Sequence, residues 1–324
     1  MFMTTPSRIV MGFALLILQS AGCCYAVGTA EVHATLSVTL AEPVILTVDV
    51  PGGDLEIDYS RDGQIAISAV AQGVGDLELD ENYFSKVLRV EQNGNNITVR
   101  LVANAVFPTK KIKARYRIDV PYRTEVAVSD DYGDQTVRGV MGPVAIRGGH
   151  GDISVSHVSK AVRVLVERGN IDLQMIGEHV SATCGGGNIK GERLAKGVSA
   201  ETGEGDITLM VVGASEATVK HGTGRIDIGG AREGVVSSTD GGDLYVKAVP
   251  RSDWKLNSRS GTIRVELPER AGFDLDASTD SGRLQFDRDD LTTLAADVRQ
   301  ALQKVNGGGK KIEARTESGT IAIR

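Results

Sequence analysis

The sequence predicts an all-β fold, a single-chain β-solenoid (β-helix) whose coils are about 18 residues long. The first observation is a glycine that returns every 18 residues, at Gly133, Gly151, Gly169, Gly187 and Gly205. Further copies follow at Gly224, Gly242, Gly261 and Gly282, in steps of 19, 18, 19 and 21, and a last copy stands at Gly319. The second observation is a pair of apolar alternations that keep a fixed distance from each glycine. A period this short predicts stacked coils.

Two strands per coil follow from these alternations. Residues two and four positions after a glycine are apolar, as in Ile171 and Leu173, and Gly191 is the exception. Residues seven and five positions before it are apolar as well, as in Val162 and Val164. A period of two predicts half-buried strands. A third inward residue is predicted seven positions after each glycine, at Val140, Val158, Ile176, Leu194, Val212, Ala231 and Val249.

The chain divides into three parts on this pattern. Residues 1–30 have the layout of a secretory signal, residues 31–122 are a degenerate N-terminal β region that caps the stack, and residues 123–324 hold the repeats. In the N-terminal part, inward positions are predicted at Leu46, Val48, Leu55 and Ile57, and further strands at 64–67, 97–101 and 113–120. Trp254 falls in an inward register of the repeats.

A helical insertion is predicted at 287–306, in the gap of 37 residues between Gly282 and Gly319. Leu291, Leu294, Val298, Leu302 and Val305 follow helical spacing, and Gly307 can end the helix. Such a helix would pack on the end or flank of the solenoid.

The first residues predict export. Arg8 precedes an apolar run over 9–18, which is too short for a convincing membrane span. Cleavage after Ala26 or Ala30 would release a soluble protein. Alternatively, Ser20-Ala21-Gly22-Cys23 is similar to a bacterial lipobox, although the usual leucine three positions before the cysteine is replaced by Ser20. In that case Cys23 is lipidated, and the protein is a membrane-anchored lipoprotein of the periplasm or cell envelope.

Composition excludes a nucleic-acid partner. The net charge is −6, aromatic residues make up 4% of the chain, and no basic stripe with interleaved aromatics occurs. The basic residues between Lys110 and Arg117 alternate with apolar ones, and this pattern predicts that they lie on the solvent-exposed face of a strand. Cys184, the one cysteine beyond the signal, is predicted as a small corner residue. No cofactor is predicted.

Polar residues follow the glycines and form a predicted ladder along one edge: Asp134, Asp152, Asn170, Asn188, Asp206, Arg225, Asp243, Thr262, Arg283 and Thr320. Their side chains are expected to cap local backbone amides as Asx-turns. The alternative is a cation, because stacked carboxylates are hard oxygen ligands. Candidate metal ligands are then Asp134, Asp152 and Asp206. The calcium-binding nonapeptide is not matched, since Asp152 stands one position early after Gly148-Gly149-His150-Gly151.

Several segments resemble the bacterial putative-adhesin family of β-strand-repeat proteins. They are Tyr116-Arg117-Ile118-Asp119-Val120-Pro121, the recurring Gly-Asp-Ile and Gly-Asn-Ile units, and the ending Thr316-Glu317-Ser318-Gly319-Thr320-Ile321. The resemblance covers most of the mature chain. It implies the β-solenoid architecture and an adhesin-like role without a defined activity.

We therefore predict an exported, non-enzymatic envelope scaffold or adhesin-like interaction protein. Its partner would be an envelope or surface protein or a glycan, and it would touch the membrane only through a lipid anchor. The predicted interaction face is an outward row of side chains: Ser154, Asp172, Lys190, Thr208, Asp227, Tyr245 and Arg264.

Three alternatives remain. One is a carbohydrate-active enzyme on a β-helix, with Asp206 and Asp243 as candidate acids. Another is an envelope sensing or regulatory partner. A hexapeptide acyltransferase is disfavoured because the inward pairs lie seven apart across the corner, from Val164 to Ile171.

Overall fold

The computed structural model describes residues 29–39, 42–74, 79, 83–101, 112–213, 215–219, 224–231, 233–291 and 298–324. Within these ranges the chain forms 28 strands and one short helix, α1 (Tyr83–Val87). The strands of the N-terminal region are β1 (Thr29–Ser37), β2 (Val44–Val50), β3 (Asp54–Tyr59), β4 (Gln64–Gly73), β5 (Leu88–Asn93), β6 (Asn96–Leu101) and β7 (Ile112–Val120).

The repeats supply the remaining strands, usually two per coil. Those of the first six coils are β8 (Thr124–Tyr132), β9 (Gln135–Arg138), β10 (Val144–His150), β11 (Ile153–Val158), β12 (Val162–Arg168), β13 (Ile171–Ile176), β14 (Val180–Gly186), β15 (Ile189–Leu194), β16 (Val198–Glu204), β17 (Ile207–Val212), β18 (Ser215–Val219) and β19 (Ile226–Gly229). The later ones are β20 (Val235–Thr239), β21 (Leu244–Lys247), β22 (Trp254–Ser258), β23 (Ile263–Glu266), β24 (Phe273–Thr279), β25 (Arg283–Phe286), β26 (Gln300–Val305), β27 (Lys310–Thr316) and β28 (Thr320–Ile323).

The described strands form two sheets of 14 strands each, and their inward side chains make one continuous core. Sheet A runs β1-β4-β7-β3-β9-β11-β13-β15-β17-β19-β21-β23-β28-β25, and sheet B runs β26-β24-β27-β22-β20-β18-β16-β14-β12-β10-β8-β2-β6-β5. Neighbouring coils pair in parallel with a shift of 18 residues, as in Val144 opposite Val162 and Ile153 opposite Ile171. The predicted β-solenoid is thereby confirmed as a two-sheet stack.

The inward positions are filled as the alternation predicts, with two local differences. Gly191 takes an inward position, and the side chains of Leu194 and Leu209 fill the space that a Cβ would occupy, each at 2.8 Å from it. Val249 was predicted to point inward and is 47% exposed, whereas its neighbour Ala248 is buried. The prediction for Val249 is therefore wrong, because no residue with positive φ precedes it and the alternation continues from Val246 to Ala248. Trp254 is buried as predicted.

Left-handed backbone makes the corners between the strands. Gly169 has φ +143°, and a Cβ there would collide with the carbonyl oxygen of Gly151 in the preceding coil. A second corner lies inside the sheet A strands, where His157, Met175 and Arg193 have φ between 53° and 56°. This kink returns the next residue to the core, so that Ile176, for example, is buried although it stands three positions after buried Leu173.

At the N-terminal end, the order of the strands in the sheets differs from their order in the chain. β2 and β3 form a coil that lies between the coil of β8 and β9 on one side and the strands β6 and β7 on the other. Antiparallel strands then end both sheets, with β4 and β1 beyond β7 in sheet A and β5 beyond β6 in sheet B. The predicted inward residues Leu46, Val48, Leu55 and Ile57 are buried. Lys113, Arg115 and Arg117 are exposed on β7, as predicted, and Lys110 and Lys111 lie outside the described residues.

The C-terminal end repeats this rearrangement. The last coil, β27 and β28, lies between β22 and β24 in sheet B and between β23 and β25 in sheet A. Asp276 of β24 holds it in place through ion pairs with Lys311 at 2.8 Å and Arg315 at 2.9 Å.

The helix predicted at 287–306 is not formed where the structure describes this segment. Its last third, 300–305, is the strand β26, which pairs antiparallel with β24 at the end of sheet B. Ala301 and Val305 are buried there and Leu302 is 68% exposed, so the period is two. Backbone pairing at the sheet end satisfies the edge of β24, which a packed helix would leave open. Residues 292–297 lie outside the described residues.

Candidate interaction surface

The predicted interaction row lies on the outer face of sheet A, one residue per coil. Successive members stand directly opposite each other in the parallel register, from Ser154 opposite Asp172 to Tyr245 opposite Arg264. The pairs between them are Asp172 with Lys190, Lys190 with Thr208, Thr208 with Asp227, and Asp227 with Tyr245. None of the seven is buried. The structure thus brings all of these residues together in one line.

Short polar contacts fix parts of this row. Asp172 accepts a hydrogen bond from Gln174 at 3.2 Å, and Asp227 pairs with Arg225 at 2.8 Å. Burial and a hydrogen bond to Glu266 raise the pKa of the Tyr245 hydroxyl. The Tyr245 hydroxyl and the Lys247 side chain each form a hydrogen bond with the Glu266 carboxyl, and these bonds lower its pKa.

The Asp and Asn ladder along the corner has a structural role. The amide of Asp152 donates to Asp134 Oδ1 at 2.8 Å, the amide of Asn170 to Asp152 Oδ1 at 2.7 Å, and the amide of Asn188 to Asn170 Oδ1 at 3.0 Å. Each side chain therefore caps an amide one coil away. The predicted local Asx-turn is replaced by a bond between coils, because the parallel register places the next amide beside each carboxylate.

The candidate metal ligands belong to this ladder. Asp206 Oδ1 accepts the amide of Arg225 at 2.7 Å, so one oxygen each of Asp134, Asp152 and Asp206 is used between coils. Asp206 lies four coils from Asp134, about 19 Å along the stack at 4.8 Å per strand, too far to share an ion. Among the residues that the structure describes, no group of three or more His, Cys, Asp or Glu side chains is placed to hold a metal ion.

The two candidate hydrolase acids are also ladder members. Asp243 Oδ1 accepts the amide of Thr262 at 2.7 Å, as Asp206 does for Arg225. The coil of Arg225 lies between the two acids, which places them about 10 Å apart along the stack. Both carboxylates are exposed on the corner.

A second column of small polar side chains faces inward three positions before the glycines. The buried Cys184 thiol donates to the carbonyl of Gly169 at 3.1 Å, and the Thr202 hydroxyl donates to that of Gly187 at 2.9 Å. Burial raises the pKa of the Cys184 thiol. The predicted role of Cys184 as a small corner residue agrees with this contact.

Asp130 occupies the same column and was missed by the sequence analysis. It is 2% exposed, its Oδ1 accepts the amide of Tyr132 at 3.0 Å, and its Oδ2 has no hydrogen-bond partner among the described residues. The buried Tyr116 hydroxyl and Gln135 Oε1 also lack one there. Burial raises the pKa of the Asp130 carboxyl to about 8. The detectable signal is a charged residue in a column whose other members are uncharged: Val50, Gly148, Val166, Cys184, Val219 and hydroxyl residues.

The outer face of sheet B carries a shallow groove, about 710 Å³ in volume, which the sequence analysis also missed. Its floor is made of small side chains, including Ala127, Ala145, Ser181 and Ser199, and Arg163 projects beside them. The signal was available in the sequence, because these small residues recur six positions before successive glycines.

The predicted signal segment is only partly described. Cys23 and the rest of residues 1–28 lie outside the described residues. Thr29 and Ala30 belong to β1, where Ala30 is 1% exposed and stands opposite Ala71 of β4. In the described part of the chain, no helix combines the length and apolar character needed to span a membrane.

Comparison with solved structures gives three examples. They are a putative cell adhesion protein from Clostridium sporogenes, at 10% identity and TM-score 0.27, a putative adhesin from Bacteroides fragilis, at 13% and 0.32, and a putative adhesin from Parabacteroides distasonis, at 12% and 0.29. Each match covers 91% of this chain and 97% or 98% of the other. TM-scores this low do not support an argument about this chain.

The comparison with protein families is decisive. No curated protein matches the chain. The Toastrack DUF4097 family matches residues 45–324, which include both sheets from the second residue of β2 onward. This chain therefore belongs to the Toastrack DUF4097 family.

Proposed function

We propose that the protein is an exported, non-enzymatic envelope scaffold with an adhesin-like role, and that the outer face of sheet A is its contact surface. The observation that carries the proposal is the in-register row from Ser154 to Arg264. Seven side chains at about 4.8 Å per strand span about 29 Å. A partner can contact the whole row at once.

The shape of this surface favours a macromolecular partner. The row lies on a parallel sheet whose opposite side is the continuous core, so its backbone is held rigid. Extended solenoid faces are typical binding surfaces in repeat proteins. Mixed charges such as Asp172 next to Lys190 favour a partner with a complementary pattern, since charge complementarity supplies specificity more than affinity. An envelope or surface protein, or a glycan, fits this description.

The proposal is tested by reversing charges on the row. The triple variant Asp172→Lys, Lys190→Glu, Asp227→Lys should lower binding of protein-coated beads to the cell envelope of the source bacterium by about tenfold or more. The matched control, Arg163→Glu with Lys255→Glu, lies on the outer face of sheet B and should bind like the unmodified protein. If the triple variant binds as well as the control and the unmodified protein, another surface makes the contact.

The structure also bears on where export processing occurs. Cleavage after Ala30 would remove two residues of β1, including a buried one, whereas cleavage after Ala26 or before Cys23 leaves β1 complete. If Cys23 carries the lipid, five residues separate it from Thr29, and the six chain steps between them reach at most about 20 Å. The end of the stack that carries β1 would then stand close to the membrane.

The mass of the mature protein tests the anchor. We expect the native protein from the membrane fraction to begin at Cys23 and to carry added acyl mass. The Cys23→Ala variant should move to the soluble fraction. A chain that begins at Val27 in the soluble fraction would overturn lipidation and leave the export proposal intact.

A further inference from the structure

Two exposed tyrosines from distant parts of the sequence meet in a cleft at the N-terminal end of the stack. β3 and β7 pair in parallel with Tyr59 opposite Val120, so the end of β3 lies beside the turn after β7. The rings of Tyr59 and Tyr122 meet edge to face, with centroids 5.7 Å apart and planes at 74°. They remain 43% and 47% exposed. The cleft beside them has a volume of about 270 Å³.

The cleft carries two cations that have no partner in the described part of the chain. Arg61 and Arg123 line it and are exposed, and neither guanidinium makes an ion pair or a hydrogen bond with any residue that the structure describes. Neighbouring arginines do, since Arg117 pairs with Asp119 and Arg138 pairs with Asp58, both at 3.3 Å. A planar anion could therefore bind these two guanidinium groups without displacing an internal contact.

The wall that carries Tyr122 and Arg123 is fixed before a ligand arrives. The hydroxyl of Thr124, which is fully buried, donates to the carbonyl of Pro121 at 2.6 Å. The amide of Met141 donates to the carbonyl of Tyr122 at 2.7 Å. A site with a preset backbone pays little ordering entropy on binding.

We propose that this cleft binds one acidic sugar residue of an anionic glycan. A volume of about 270 Å³ lies below the range of about 300–1,000 Å³ for drug-sized pockets and suits a single ring. Rings at 74° cannot sandwich a flat base, but they form a corner for the C–H groups of a sugar. Arg61 and Arg123 supply donors for its carboxylate, and Glu42, which also lines the cleft, can accept from its hydroxyls.

The experiment titrates two disaccharides and an acidic peptide into the full mature chain and observes saturation transfer to each by NMR. Inorganic phosphate, which has no protons to observe, is measured by its displacement of the acidic disaccharide. A disaccharide ending in glucuronic acid should bind with a dissociation constant of about a millimolar. A disaccharide ending in glucose, and inorganic phosphate, should each bind at least about tenfold more weakly. Equal binding of phosphate would reduce the cleft to a simple anion site and overturn the proposal. Tighter binding of an acidic peptide would overturn it as well.

Variants locate the binding. Arg61→Ala with Arg123→Ala should weaken binding of the glucuronic acid probe at least about tenfold, and Tyr122→Ala at least about fivefold. Tyr122→Phe keeps the ring and should stay within about twofold. Arg147→Ala, on the outer face of sheet B, is the matched control and should change nothing. No detectable binding, or binding that survives the double arginine variant, would overturn the assignment. The cleft is separate from the sheet A row, so either proposal can fail alone.

Discussion

At the scale of the residue, Asp130 shows how a regular column can hold an irregular charge. It stands between Gly148 of β10 and Val50 of β2, neither of which carries a polar side chain. A Cβ at Gly148 would approach Gln135 Nε2 to 3.2 Å, so the glycine leaves room for the Gln135 side chain. The sequence predicts a corner at this position, but it contains no signal for how deeply the carboxyl is buried.

The Asp130 carboxyl predicts a fall in stability with rising pH. Burial raises its pKa from 3.8 to about 8 in the folded state, so ionisation costs more in the folded chain than in the unfolded one. Its contribution is complete below the unfolded pKa and is lost between about pH 4 and pH 8. Asp130→Asn should remove this dependence, and its advantage over the unmodified protein should grow by up to about 1.4 kcal/mol per pH unit in that window.

Urea unfolding at pH 5, pH 6.5 and pH 8 measures this difference. Glu125→Gln is the matched control, because Glu125 is an exposed carboxylate on the same strand and its curve should run parallel to that of the unmodified protein. A constant difference between Asp130→Asn and the unmodified protein over this range would contradict the predicted burial of an ionisable group.

Replacement of Gly169 by alanine, which adds one methyl group, should destabilise the protein strongly. At φ +143°, an alanine there is strained and its Cβ collides with the carbonyl oxygen of Gly151 in the neighbouring coil. We expect Gly169→Ala to lower the free energy of unfolding by about 3 kcal/mol or more. Gly186→Ala, where a Cβ would meet nothing within 4 Å, should stay within about 0.5 kcal/mol. Equal melting temperatures for the two variants would contradict the close approach of the coils.

At the scale of the element, the C-terminal segment shows where hydrophobic spacing becomes ambiguous. Leu302 and Val305 stand three positions apart, which fits one face of a helix, and the short segment offers few further positions to separate a period of 3.6 from a period of two. The strand β26 is selected by the unpaired edge of β24, a tertiary feature that the local sequence does not contain. The repeats are predicted correctly because their alternation recurs in many coils.

Two substitutions in β26 distinguish the strand from a helix. Leu302 is 68% exposed and Val305 is 1% exposed, although a helix would place both on its apolar face. We expect Leu302→Gln to change the free energy of unfolding by less than about 0.5 kcal/mol, and Val305→Gln to lower it by about 2–4 kcal/mol. Chemical denaturation of both variants measures this. Similar large losses for the two would favour the helix.

At the scale of the whole molecule, the repeat explains why the order of the coils at the ends could not be predicted. Ile312 of β27 stands opposite Trp254 on one side and Leu275 on the other, and all three take the same inward register. Every coil offers its neighbours the same spacing and the same apolar column. The sequence therefore predicts that coils stack in parallel, but it does not specify which coils are adjacent. The Tyr59 and Tyr122 cleft was missed for the same reason, since it depends on β3 lying beside β7.

The position of the last coil predicts which strands are destabilised when it is removed. Removal of residues 310–324 deletes β27 and β28. β27 lies between β22 and β24, and β28 lies between β23 and β25, so β24 and β25 lose these partners. Because each coil of a solenoid contacts only its neighbours, the loss should stay local. We expect hydrogen exchange to show amides of β24, β25 and β26 losing protection, while those from β10 to β17 keep it. The full-length variant Glu317→Ala with Ser318→Ala, altered at two exposed positions of the same segment, should exchange like the unmodified protein. Protection of β24 and β25 that survives the truncation would mean that the last coil is stacked outside them, and that the ends follow chain order after all.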